Sequence, residues 1–239
     1  MQRTVQATSR PYSRPTSNPT TQAAAINWSY PAPRIGAKGL LDKAFGPGHT
    51  RAELVLQILP PIAAALAVPV LAASWHLPWT LAQQLLAAFL ALDGVGGVIT
   101  NSTSSAKRWF HRAGQGPIQH LSFAMAHLTH FALVAWVFAD GSLPWFIGAS
   151  AFLMIAAPLV IYAPLYLQRP TAAGLLALGI VYSSFCLPEI DGMQWLLPVF
   201  YLKLLGAHLT REEPYRPHDA DPGGQGPAER PVHQIPSTH

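Results

Sequence analysis

Residues 50–75 read TRAELVLQILPPIAAALAVPVLAASW. The opening Thr50-Arg51-Ala52-Glu53 has the form of a capping box, in which Thr50 accepts from the Glu53 amide and Glu53 reaches back to the amide of Thr50. Beyond Glu53 the chain carries no Asp, Glu, Lys or Arg until Asp93. A helix without charge on any face is not solvated by water, and this one is long enough to match the ~20 apolar residues that cross a bilayer. Pro60, Pro61 and Pro69 predict bends, which membrane helices tolerate when neighbouring helices re-satisfy the freed carbonyls.

The rest of the chain repeats this grammar. Half of its 239 residues are apolar and only 11% are charged, against about 25% in soluble domains. Apolar runs separated by turn signals predict an all-α, polytopic transmembrane bundle of six helices, at about 50–75, 80–100, 118–138, 144–167, 170–187 and 192–210. His76, Pro78 and Trp79 form the first turn, and Asp140-Gly141-Ser142 ends the third helix, with Pro144 in the first turn of the fourth. Pro158 and Pro164 predict bends, Pro170 opens the fifth helix, and Asp191 with Gln194 is read as the cap of the sixth.

Charge placement gives the orientation. All fifteen Lys and Arg fall in the N-terminal region, in the connections between helices 2 and 3 and between helices 4 and 5, or in the last helix and tail. The three opposite connections carry Asp140, Glu189 and Asp191 instead. The positive-inside bias then predicts an integral, multi-pass membrane protein with both termini cytoplasmic. Residues 1–49, rich in Ser, Thr and Pro, read as a disordered N-terminal tail with a candidate interfacial helix at 35–46, and residues 211–239 as a second disordered tail. A single cysteine, Cys186, excludes an intrachain disulfide and any cysteine-based metal motif. The basic residues flank apolar runs and are not interleaved with an aromatic surface, so no nucleic-acid partner is expected.

Ionisable residues inside a membrane are costly and mark sites. Asp93 lies ~10 Å from the inner end of the second helix at about 1.5 Å per residue, followed by Gly94, Gly96 and Gly97. The third helix presents His120, His127 and His130 as a stripe, the last two one turn apart and at the depth of Asp93. Asp93, His127 and His130 are therefore the candidate metal ligands, with zinc the metal, Asp93 and Ser122 the candidate catalytic groups, and His120 or His208 a further ligand. Lys107, Arg108 and Arg112 form a basic loop suited to anionic lipid headgroups, whereas Lys203 is read as snorkelling to the inner surface.

This Ser, Asp and multiple-His arrangement loosely resembles the membrane hydrolases that include alkaline ceramidases and the progestin/adipoQ receptors. The resemblance implies a zinc hydrolase acting on an amphiphile. The chain departs from that group's pattern: Ser122 and His127 are separated by four residues where the group has three, and the last helix holds His208 alone where the group has a His pair. Three other readings stand beside it. They are a single-haem electron-transfer protein using His120 and His208, a proton-coupled carrier with Asp93 and the histidines as relay, and a scaffolding membrane protein whose polar residues join helices.

Overall fold

The computed structural model describes residues 28–212, and all regular structure among them is helical. The tails expected at 1–49 and 211–239 lie mostly outside those residues. Helix α1 (Ala37–Phe45) precedes α2 (Arg51–Ser74) and α3 (Leu81–Ser102). The short α4 (Ser104–Phe110) leads to α5 (Pro117–Ala126) and α6 (Leu128–Phe138). The chain ends in α7 (Leu143–Ile161), α8 (Leu165–Cys186) and α9 (Leu196–Tyr201), which continues as a π-helical segment over Leu202–His208.

The capping box of α2 forms as its residues dictate. Thr50 Oγ1 accepts from the Glu53 amide at 3.1 Å and Glu53 Oε2 from the Thr50 amide at 2.8 Å. A second box, Thr80 with Gln83, starts α3. Such caps contribute about 1 kcal/mol each. They also set where the helices begin, and hence how deep Asp93 lies.

Four segments are long and apolar enough to cross a membrane: Arg51–Ser74, Leu81–Ser102, Pro117–Phe138 and Leu143–Ile161. The other two expected spans, at 170–187 and 192–210, do not meet both criteria. Helix α8 has the length, but Gln168, Arg169 and Thr171 occupy its first turns, and Pro170 lies inside it instead of opening it. The segment from Leu196 to His208 is apolar but spans only ~20 Å at about 1.5 Å per residue. Its expected Asp191–Gln194 cap is absent, because the Gln194 amide donates to Glu189 instead. Helix α7 ends at Ile161, short of the expected 167, because Pro164 caps α8.

The last segment is the centre of the bundle. Leu196, Phe200, Tyr201, Leu204 and Leu205 are fully buried, packed with Leu90, Phe131, Val134 and Leu153. Tyr201 donates its hydroxyl to the Ala149 carbonyl of α7 at 3.0 Å, which satisfies the one polar atom of a fully buried ring. Helices α3, α7 and α8 surround this central segment, and α2 packs against α3 at the periphery. Leu59, Leu66 and Val70 of α2 and Trp136 of α6 point outward, as lipid-facing side chains do. Close approach of α3 depends on its glycines. A Cβ at Gly94 would lie 2.9 Å from Val199, and one at Gly97 would lie 2.2 Å from the Lys203 stem.

Candidate metal centre

The third span is broken at one residue, His127, which joins α5 to α6. In an uninterrupted helix the Phe123 carbonyl would accept from the backbone amide of His127. Here the imidazole Nδ1 takes that carbonyl at 2.8 Å, and the backbone amide turns to Ala124 at 3.1 Å. A side chain inserted into the ladder in this way bends the helix. It also fixes the tautomer: Nδ1 carries the proton, so the Nε2 lone pair is free to face outward from the bend.

That lone pair faces Asp93 of α3. Asp93 Oδ2 lies 4.0 Å from His127 Nε2 and 3.6 Å from His130 Nε2. One carboxylate oxygen and the two ring nitrogens all lie within 4.8 Å of one another. The imidazoles stack on each other with centroids 5.1 Å apart, and Phe89 stacks on His130. Phe200 packs edge-on to His127 and tilted against His130. Two neutral nitrogens and a carboxylate, held by aromatic walls with one side open, form a donor set suited to a divalent metal. The buried His/Asp cluster can therefore coordinate a metal ion.

The fourth member is Lys203. It was expected at the membrane surface, but its side chain is 2% exposed and its ammonium donates to Asp93 Oδ2 at 2.5 Å. The π-helical winding brings it there. In an α-helix Lys203 and His208 would point about 140° apart, whereas the wider i→i+5 turn brings both side chains onto α3, Lys203 at Asp93 and His208 at Asn101. Gly97 leaves the path for the lysine stem. A carboxylate has about four lone-pair sites, so the ammonium leaves room for a metal on the same group.

A cavity of about 580 Å³ opens beside the cluster between α2, α3 and α5. Asp93, His127 and Lys203 line it together with apolar residues such as Ile58, Phe89 and Phe123. Gln57 of α2 lines it too; it is 3% exposed, and neither its amide oxygen nor its amide nitrogen has a hydrogen-bond partner. Sequence reasoning passed over Gln57 and placed Lys203 at the inner surface. The signal available for Gln57 was a carboxamide alone in the otherwise apolar stretch between Glu53 and Ser74.

The other expected site residues separate from this centre. Ser122 is exposed on α5 and is not among the residues lining the cavity, since five positions along a helix place it about 140° from His127. His120 and His208 do meet, but directly: Nδ1 of His120 is 3.2 Å from Nε2 of His208, with centroids 5.0 Å apart. A hydrogen bond thus occupies the place where a haem held between them would sit. His208 continues to Asn101 at 3.1 Å, and His111 lies 3.0 Å from the His208 carbonyl.

The basic loop folds as α4 beneath the bundle. Ser105 bonds Glu53 and the Phe45 carbonyl, which tethers α4 to the first two helices. Lys107, expected to face headgroups, is instead 2% exposed and donates to the carbonyls of Ala207 and Thr210. A cation satisfying the last carbonyls of a helix is favoured by their partial negative charge. Burial pulls its pKa down to about 8, so it remains protonated at pH 7. Arg108 is buried as well, while Arg112 lies across the Trp109 ring at 3.8 Å.

Compared with protein-family models, curated proteins and solved structures, the chain matches none.

Proposed function

We propose that this protein is a membrane-embedded, zinc-dependent hydrolase of an amphiphilic substrate, with Asp93, His127 and His130 as the metal ligands. The observation that carries the reading is the convergence of these three ligand atoms within 4.8 Å, with Asp93 and His127 lining an apolar cavity. Zinc held by these three residues would supply Lewis-acid polarisation of a carbonyl. In such a hydrolysis water would add to the acyl carbon, the ester or amide bond would break, and the leaving oxygen or nitrogen would take up the proton. Asp93 and the two histidines would hold the metal, and Lys203 orients Asp93 through the same Oδ2 that faces the histidines. The cavity accepts an acyl chain, and Gln57 offers one donor and one acceptor to the polar linkage beside it.

Metal analysis of the detergent-purified, zinc-supplemented protein tests the reading. About one zinc per chain, absent from Asp93→Asn and His127→Ala, is the expected result; a metal-free wild type would overturn it. The Lys203–Asp93 ion pair favours a second reading, a proton relay in which the lysine is itself the cation of the site. A metal-free protein that moves protons in proteoliposomes, and loses this in Lys203→Met, would establish that reading instead.

The topology belongs to the same proposal. Helix α8 and the segment from Leu196 to His208 complete six crossings, with the tails at 1–49 and 211–239 cytoplasmic. The separation of Lys and Arg from the connections carrying Asp140, Glu189 and Asp191 supports this. A cysteine placed at Ser142 in a Cys186→Ser background should react with an impermeant reagent from the outer side only.

A further inference from the structure

A second cavity, of about 450 Å³, lies under the bundle where α4 turns into α5. Arg108, Arg112 and Arg211 line it, together with Trp28, His111 and Gln168, and no Asp or Glu is among its lining residues. The arginines come from two distant parts of the chain, so no run of sequence announces the cluster.

Two of them are held in a particular way. The Arg112 guanidinium lies 3.8 Å above the Trp109 ring and donates to the Trp109 carbonyl, and the Arg211 guanidinium lies 4.6 Å from the Trp28 ring. Among the described residues, neither forms an ion pair with a carboxylate. A guanidinium stacked on an aromatic face keeps edge N–H groups for a ligand lying in its plane, and the planar fork suits two oxygens of one phosphate. Gln168 accepts from the backbone amide of Arg211 at 2.9 Å and fixes that segment against α8. The cavity therefore combines a cationic lining, two ring-stacked guanidiniums and a position at the cation-rich end of the bundle.

We infer that this cavity binds a phosphate monoester or inorganic phosphate, with Arg112 and Arg211 gripping its oxygens and Arg108 supplying charge from the buried wall. His111 is consistent with such a field. Its pKa is held down to about 3, first by burial and then by Lys107, so it enters the cavity as a neutral ring. The site revises the basic patch expected from sequence: Arg211 joins it, and Lys107, turned to the helix carbonyls, leaves it.

The test uses the full chain in phosphatidylcholine nanodiscs, with binding followed by tryptophan fluorescence and by thermal shift. Inorganic phosphate is titrated in one arm, and phosphatidic acid is included in the nanodisc in the other. Saturable binding in either arm, weakened about tenfold or more in Arg112→Gln and Arg211→Gln, is expected, since that loss corresponds to about 1.4 kcal/mol. Arg169→Gln is the control. Arg169 is outside the cavity lining and pairs with Glu212 at 3.3 Å, so its loss should leave affinity unchanged. Response to free phosphate identifies a soluble anion, and response to phosphatidic acid alone identifies a lipid headgroup. No saturable response in either arm, equal affinity in wild type and both cavity variants, or equal weakening in Arg169→Gln would overturn the inference. The ligand-free melting temperature of each variant separates lost binding from lost folding.

Discussion

Two groups of histidines share one bundle and are arranged in opposite ways. His120 bonds His208, His208 bonds Asn101, and His111 bonds the His208 carbonyl, so each ring has at least one nitrogen engaged within the protein. His127 and His130 turn Nε2 toward a carboxylate at 4.0 and 3.6 Å, beyond hydrogen-bond distance, beside a cavity. Burial and residue type are similar in both groups. The difference is an acidic partner onto which two ring nitrogens converge. The comparison teaches that a buried histidine marks a candidate ligand only where its free lone pair converges with another donor on a volume that something else can fill.

The sharpest way to break this comparison is at Asp93. Asp93→Asn should abolish metal binding and leave the Lys203 ammonium buried without its counter-charge, which costs about 3–5 kcal/mol of stability. The double variant Asp93→Asn with Lys203→Met should recover most of that stability in thermal unfolding while remaining metal-free. Recovery of metal by the double variant would show that the carboxylate is not a ligand.

One histidine from each group gives the next largest contrast. His127→Ala should lose zinc outright. His208→Ala should keep about one zinc per chain and lose about 2 kcal/mol, because it opens a small void and strands Asn101 and His120. Equal metal loss in both would erase the distinction drawn here.

Gly97→Ala acts on Lys203 alone. The new methyl would sit 2.2 Å from the lysine stem, so the side chain must leave Asp93. A destabilisation of about 1–3 kcal/mol is expected from the overpacking, with zinc retained. Gln57→Leu should leave zinc content and melting temperature close to wild type while lowering turnover of any amphiphile the protein hydrolyses, since the lost amide has no partner within the protein.

The smallest effect expected is a pH effect at the other end of the bundle. His111 has its folded pKa lowered to about 3, below the ordinary histidine value of 6.5. Between these values the unfolded chain binds a proton that the folded chain does not. Stability therefore falls as pH drops through that window, by about 1.4 kcal/mol per unit at most for this group. Melting curves at pH 7 and pH 5.5 check the sign, and His111→Gln should flatten the difference. The Arg34–Asp42 pair adds a smaller acid-sensitive component. The Arg34 guanidinium holds the Asp42 carboxyl below the usual carboxylate range, so this contribution is present above about pH 4 and lost as pH falls through the lowered value.

Much of the fold was legible because it is local. The Thr50–Glu53 box, the uncharged run to Asp93 and the Asp140–Ser142 turn each act through neighbours along the chain, and helix periodicity was enough to place His127 and His130 on one face. Composition and length diverge in the two remaining expected spans: α8 carries its polar residues in its first turns, and the central segment is short although it is deeply buried.

The sequence by itself determined an all-α chain with several membrane-length helices, and a carboxylate and two histidines at matching depth. Tertiary structure decided what meets what. Lys203 reaches Asp93 because a π-helical turn rotates it onto α3 and Gly97 lets it pass; Lys107 turns inward because the carbonyls of Ala207 and Thr210 lie above it; Arg112 and Arg211 share a cavity although 99 residues of numbering separate them. The physical reason is that helix formation follows from the hydrogen bonds and side chains of a few successive residues, whereas the rotation and approach of one helix against another depend on small residues, bends and winding defects whose effects appear only when the helices pack.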